Sequence, residues 1–298
     1  MLLRARGHQV RFPRRPLVMG IVNINDDSFS GDGSLDAGVA LAQARQFLES
    51  GADIIDIGAE SARTNRAAIT EEEEVARLVP FLAAWPALLA EYAGPPWDAD
   101  QLWPPLLSIN TWRSGVIERV LPLGGDLIND ISGLPDARNA ELCAKHDAAL
   151  LIMHSVGEPK VPHTHVSYPD VMATLDRFFE DKLALATSSG LSEEYVMLDP
   201  GIDFAKQRDD NLAIYRELER LHRFGRPLLL PVSRKTVIGQ ILDLPNPQDR
   251  DAGTVACIAA GMRRGAHIFR VHHVEAAAQV VKVLWQATHL KPAATSAG

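Results

Sequence analysis

The sequence predicts an α/β fold, a (β/α)8 TIM barrel, and three observations carry that expectation. Short, apolar, β-branched runs recur along the chain, and most are followed by a longer amphipathic segment. Continuous apolar runs bounded by turn residues suit strands buried on both faces of a parallel sheet. Polar hydrogen-bonding residues end every run, as they do where loops converge on the mouth of a barrel. Eight strand–helix pairs in 298 residues fit a closed barrel first and a doubly wound open sheet second.

Taken in order, strands are expected at 17–24, 53–57, 106–110, 126–130, 149–153, 195–198, 228–232 and 267–271. Helices fit at about 36–50, 71–91, 114–122, 137–146, 168–189, 209–224, 248–264 and 274–288. Thr70 followed by Glu71 to Glu74 reads as a cap with acidic residues over a helix N-terminus. Glu73 stands at the capping-box position, and the run is expected to be a solvated first turn. The stretch 94–105 reads as a surface loop. No Pro/Ser/Gly linker divides the chain and no internal repeat stands out. The expected organisation is an N-terminal extension at 1–15, one barrel at 16–290 and a flexible tail at 291–298.

Composition bounds the function. Thirty Lys plus Arg against 38 Asp plus Glu leave a net charge of −8, so the chain has no global attraction to nucleic acid or anionic lipid. An anionic substrate therefore needs a local basic pocket. Two cysteines, Cys143 and Cys257, lack metal-ligand spacing and suit a reduced cytoplasmic protein. The Arg-rich residues 1–16 carry no long apolar run and do not read as a signal peptide; no stretch reaches the ~20 apolar residues of a spanning helix.

The strand ends supply Asn23 and Asn25, then Glu60, Ser61 and Arg63, then Asn110, then Asn129 and Asp130, then His154. The last three supply Asp199, then Ser233, Arg234 and Lys235, then Arg270 and His272. Such groups read a flat heterocycle and clamp a diphosphate. The loop from Asn23 to Gly33 reads equally as a surface connection or a mobile lid. Cations at Arg234 and Lys235 before a helix oppose its dipole, which points to an anionic ligand there. His154, His163 and His165 could be drawn as a metal cluster, although a structural or solvated role is the better reading. Gly31–Asp32–Gly33 lacks the context of a dinucleotide fingerprint, and no Walker motif occurs.

Over residues 16–288 the chain resembles the dihydropteroate synthase family. Met19 to Ser30 is similar to its first-strand motif, Gly51 to Thr64 to its G-A-D-I-I-D-I-G-G-E-S-T-R-P, and Ile128 to Gly133 to its I-N-D-V-S-G. Leu198 to Lys206 resembles L-D-P-G-x-G-F-G-K, Ser233 to Lys235 matches S-R-K, and Arg270 to Val274 resembles R-V-H-D-V. The resemblance implies a transferase that condenses 6-hydroxymethyl-7,8-dihydropterin diphosphate with p-aminobenzoate in folate biosynthesis. It implies a pterin held by Asn110, Asn129, Asp199 and Lys235, and a diphosphate held by Asn23, Arg63, Arg270 and His272. Mg²⁺ would meet Asn23 and the diphosphate oxygens. Ser61, Ala62, Phe204 and Thr236 fall on the aryl-amine side, and Lys235, Asp199 and Asn110 are the implied catalytic groups. A homodimer is a further implication of the family.

Departures from the family pattern accompany these matches. Asn110 stands where the family has Asp in S-V-D-T. Ala62 replaces Thr, Thr64 and Asp26 replace Pro, and Asp203 and Ala205 replace glycines. Three readings follow: an active synthase with remodelled loops; a pterin-binding barrel of another class, such as a folate-type methyltransferase or methyl carrier; and a non-catalytic pterin-binding paralogue. The Ser-Arg-Lys and Arg-x-His groups favour the first, and Asn110 is the best support for the third.

Overall fold

The eight expected strands form one parallel sheet. In the computed structural model, which describes residues 1–26, 33–62, 64, 66–163 and 165–289, they are β3 (Leu17–Asn23), β4 (Ile54–Gly58), β5 (Leu106–Asn110), β6 (Leu127–Asp130), β7 (Ala149–Met153), β8 (Val196–Asp199), β9 (Leu229–Pro231) and β10 (Ile268–Val271). They pair in the order β8-β7-β6-β5-β4-β3-β10-β9. A parallel bridge between Leu198 and Leu228 and a 3.0 Å bond from Leu198 N to Pro227 O bring β8 against β9. The sheet thereby returns on itself as a barrel.

Each strand leads into a helix or helices on the outside: α1 (Ala37–Glu49), α2 (Glu71–Leu89), α3 (Ser114–Val120), α4 (Arg138–Lys145), α5 (Val171–Ser188), α6 (Arg208–Glu217), then α7 (Thr236–Leu242) with α8 (Asp251–Arg263), and α9 (Val274–His289). The short helix α7 is additional to the one helix, at 248–264, expected between the last two strands. The segment expected as helix 209–224 is α6 followed by a 3-10 stretch, Leu218–Phe224, that ends on Gly225 in the left-handed region.

Two apolar clusters follow from the period-2 alternation of a strand. Val18, Val22, Ile55, Ile57, Ile109, Ile128, Leu150, Ile152, Leu198 and Leu230 face outward onto the helices. Leu17, Met19, Ile54, Leu106, Leu127, Leu151, Met197, Leu229 and Ile268 face inward and fill the lower barrel.

That lower layer is closed from beneath by residues expected to be an extension. Leu2–Ala5 and His8–Arg11 form an antiparallel hairpin, β1 and β2, turning through Arg6 and Gly7, the glycine at φ +84. Its inward residues Leu3, Ala5 and Val10, with Phe12, pack on the inner cluster and are almost fully buried. The hairpin is thus part of the barrel's core rather than an appendage to it. Residues 291–298, expected as a tail, lie outside the described residues.

The acidic start of α2 is capped and largely solvated as expected, with Glu74 as the exception. Thr70 caps it by accepting from Glu73 N at 3.1 Å, but Glu73 turns its side chain to Arg77 Nη2 at 2.5 Å. Glu74 is fully buried against Arg113 rather than solvated. The stretch 94–105 is anchored too: Gln101 is buried and donates to Leu48 O and Ala52 O at 2.8 and 2.7 Å. No helix among the described residues is long and apolar enough to cross a membrane.

Candidate active site

Climbing the inner face of each strand, the apolar layer gives way to polar residues two positions on. Above Leu17 and Met19 stand Ile21 and Asn23; above Ile54, Asp56 and Gly58; above Leu106, Ser108 and Asn110; above Leu127, Asn129. Met153, Asp199, Pro231 with Ser233, and Arg270 with His272 complete the ring. The loops beyond them enclose a cavity of about 650 Å³. Its lining includes Asn23, Ser61, Ala62, Asn110, Asn129, Asp199, Phe204, Lys235, Thr236, Arg270 and His272, so eleven sequence-expected residues meet in one place. Arg63 and loop residues 27–32 lie outside the described residues.

The floor is a network that the sequence reading missed. Asp56 lies mid-strand in β4 and is fully buried. Its Oδ1 accepts from Ser108 Oγ at 2.5 Å and from Asn129 Nδ2 at 3.3 Å, while Oδ2 lies 3.2 Å from the same Nδ2. Arg270 reaches Oδ2 through Nε and Nη2, both at 2.8 Å. A buried carboxylate is retained only when paired and hydrogen-bonded, and here the pairing orients two cavity residues. The next residue after Asn129 faces the other way: Asp130 accepts from Ser132 N and Oγ and from Asn139 Nδ2.

Asp199 is 3% exposed at the end of β8, and its Oδ1 accepts from Gly201 N at 2.6 Å. Burial pushes its carboxyl up to about 6, against the pull of the Gly201 N–H and of Lys235, Lys206 and Arg270. Gly201 sits at φ +69, and a Cβ there would stand 2.1 Å from His154 O, so the turn after Asp199 requires glycine. The turn is held from below by Lys206, whose Nζ reaches His154 Nδ1 at 2.8 Å and Phe204 O at 3.1 Å. Burial lowers the Lys206 ammonium to about 7, with Asp199 opposing the shift. His154 is pushed down to about 3, first by burial and then by Lys206. A neutral imidazole fixed this way is a structural partner of the lysine. Among the described residues no group of three His, Cys, Asp or Glu side chains is placed to hold a metal ion.

Lys235 donates to Ile202 O at 2.8 Å and its ammonium lies 5.0 Å from the Phe204 ring centroid. Burial lowers its pKa, while Asp203 and Asp199 work the other way. Asp203 ties the turn after Asp199 to α7. Its carboxylate accepts from Thr236 N, from Val237 N at 3.3 Å and from Asn211 Nδ2 at 3.1 Å. Both Asp203 and Ala205 have left-handed φ, +67 and +51, the region in which glycine is unstrained. The family's glycines at these positions thus have a conformational reason, and in this chain Asp203 adds a helix cap.

The expectation of an anionic ligand at Arg234 is corrected. Its guanidinium pairs with both oxygens of Asp251 at the start of α8, at 2.7 and 3.0 Å, and it does not line the cavity. Lys235 alone of that pair faces the ligand space. Beside it, Ser233 Oγ accepts from His272 N at 3.1 Å and lies 2.8 Å from His272 Nδ1, which fixes the imidazole beside Arg270.

Asn23 is the one cavity residue singled out for a metal. It offers a neutral oxygen at the end of β3, suited to a hard cation that takes its remaining ligands from a bound diphosphate and water. That donor set fits Mg²⁺ as a companion of the substrate and does not fit a metal caged by protein alone.

This geometry has counterparts. The family described as pterin binding enzyme matches residues 19–272. The dihydropteroate synthase of Synechocystis sp. is 38% identical over 278 residues, 92% of this chain and 91% of that protein. The Yersinia pestis dihydropteroate synthase, solved as a sulfonamide drug complex, superposes with a TM-score of 0.85 at 35% identity, covering 96% of this chain and 99% of that one. The Xanthomonas albilineans enzyme, solved with 4-aminobenzoic acid, gives 0.82 at 31% identity over 98% and 100%. The chain is an enzyme of the transferase class and belongs to the dihydropteroate synthase family of pterin-binding barrels.

Proposed function

We propose that the cavity condenses 6-hydroxymethyl-7,8-dihydropterin diphosphate with p-aminobenzoate and releases diphosphate. The observation that carries this reading is the set of groups gathered in one cavity: a buried carboxylate at Asp199 with amides at Asn110 and Asn129, and cationic Arg270 with His272. A flat heterocycle with adjacent donors and acceptors suits the first set; a departing anion suits the second.

The chemistry follows from those groups. The C–O bond of the pterin methylene breaks and diphosphate leaves with the electron pair. Positive charge then develops on a carbon conjugated to the pterin ring. Asp199, ionised and excluded from water, stabilises that charge through the ring, while Arg270 and His272 receive the leaving oxygens. The amine nitrogen attacks the carbon and passes its extra proton to water at the mouth of the cavity. Lys235 and Phe204 flank the aryl side, with Thr236, Ser61 and Ala62 at the rim. Mg²⁺, held by Asn23 and substrate oxygens, would neutralise diphosphate charge.

The free thiols Cys143 and Cys257 suit a reducing cytoplasm. The folate-type methyltransferase reading loses ground because Arg270 and His272 are built into the wall by Asp56 and Ser233, which a carrier without a leaving anion does not need. The test is direct: the protein is incubated with the pterin diphosphate, Mg²⁺ and p-aminobenzoate. Dihydropteroate and free diphosphate should appear in equal amounts; binding without turnover would instead make the chain a non-catalytic paralogue.

A further inference from the structure

Two pocket loops that are far apart in sequence are joined by one lysine whose side chain is largely covered. Lys160, in the loop after β7, sends Nζ across the mouth to Ser61 O at 3.0 Å and to Glu60 Oε1 at 3.2 Å. The side chains of Lys160 and Glu60 are only 9% and 3% exposed. Glu60 is itself held from the far side. Its Oε2 lies 2.5 Å from Arg113 Nη1, Arg113 pairs with buried Glu74, and Glu60 Oε1 accepts from Ile69 N at 3.2 Å. The charges therefore alternate, Lys160, Glu60, Arg113, Glu74, along a path linking the loops after β7, β4 and β5 to the start of α2.

Such a chain is more than surface decoration. Exposed ion pairs contribute little, but a lysine nine-tenths covered must keep its partners or pay for desolvation. Lys160 also has φ +66, a left-handed conformation that a lysine adopts only under constraint. What it holds is the main chain of Ser61, next to Ala62, and both residues line the cavity on the side opposite Asp199 and Phe204. Pro159, Val161 and Pro162 beside Lys160 line the cavity too.

We propose that Lys160 is a positioning residue for the second substrate: it fixes the Ser61–Ala62 main chain from across the mouth and so sets the aryl-amine wall. Lys160 itself lines the cavity, but its ammonium is committed to Ser61 O and Glu60 rather than to the reacting atoms, and it acts through that main chain. The pterin floor, built on Asp56, Asn129 and Asp199, is independent of it. The inference rests on the function proposed above for the identity of the second substrate, but not for the existence of the latch.

Two measurements separate these. In the ligand-free protein, Lys160→Met should speed hydrogen exchange at the Ile69 amide, whose acceptor is Glu60, while amides in β6 and β8 exchange as before. In steady state, Lys160→Met should raise KM for p-aminobenzoate about tenfold, the loss of one charge-assisted hydrogen bond. The Kd for pterin diphosphate and kcat should stay within about twofold. Lys160→Arg should restore most of the KM. Should Lys160→Met fold poorly, Lys160→Gln carries the same comparison. Unchanged exchange at Ile69 overturns the latch. Faster exchange with equal losses for both substrates overturns its selective role. If the wild type fails to turn over p-aminobenzoate, the function reading falls while the exchange result still decides the latch.

Discussion

Arg270 rests on Asp56, with Nε and Nη2 each 2.8 Å from the same carboxylate oxygen, while the other oxygen of Asp56 takes Ser108 Oγ at 2.5 Å. The anion-facing arginine is thus aimed from below by a residue that never reaches the cavity. Asp56→Asn should have opposed effects on binding and turnover. Freeing Arg270 of its counter-charge favours an anion, so diphosphate should bind as well as before or better. Losing the aim should lower kcat about a hundredfold, the order expected when a reacting group is misplaced by about 1 Å. Stability should fall by about 1–3 kcal/mol, less than for a fully buried pair because Arg270 keeps 23% exposure. Product inhibition by diphosphate and kcat, measured together, check the split. Parallel losses in both would mean that Asp56 merely holds the fold.

Asp199 should write its titration into both binding and stability. Only the ionised carboxylate accepts from the pterin's N–H groups, so affinity should drop about tenfold per pH unit below about 6. The folded value of about 6 lies above that of an unfolded aspartate. The folded state therefore binds more protons between about pH 4 and 6, and stability falls as pH rises through that window. Asp199→Asn removes this cost. Its stability advantage should be small near pH 4, grow to the order of 2–3 kcal/mol by pH 6 and stay level above. Denaturant titrations across that range check it, and a difference independent of pH would place the titrating group elsewhere.

Asn110, in register between Gly58 and Asn129 at the cavity wall, carries an amide where the family has a carboxylate. An amide keeps the hydrogen bonds to a heterocycle but contributes no charge to a developing cation. Asn110→Asp should therefore raise kcat about tenfold, equivalent to about 1.4 kcal/mol, with little change in KM for the pterin. A fall in kcat would show that the amide is suited to different chemistry.

The strands and the ring of polar ends were legible because a parallel barrel buries its strands on both faces and exposes only their ends. All eight strands lie within a residue or two of where the apolar runs put them. Asp56 hides within an apolar run, although an aspartate amid Ile54, Ile55 and Ile57 demands a charged partner, and the alternation that puts Ile54 inward puts Asp56 inward as well. The β1–β2 hairpin was hidden by its arginines, yet Leu3, Ala5 and Val10 show the same alternation about the Gly7 turn. Lys160 gave no local signal at all. Its partners, Glu60 and Ser61, are about a hundred positions away, and only closure of the barrel brings them together.

The hairpin beneath the barrel closes its lower end. Leu3, Val10 and Phe12 stop the lower end with apolar side chains, leaving the described upper rim for traffic in both directions. In a vessel closed below, whatever settles at the bottom arrives most easily before the neck is filled. Asp199 and Asn129 are at the bottom, Ser61 and Thr236 at the rim. Depth of this kind favours filling the cavity from the bottom upward.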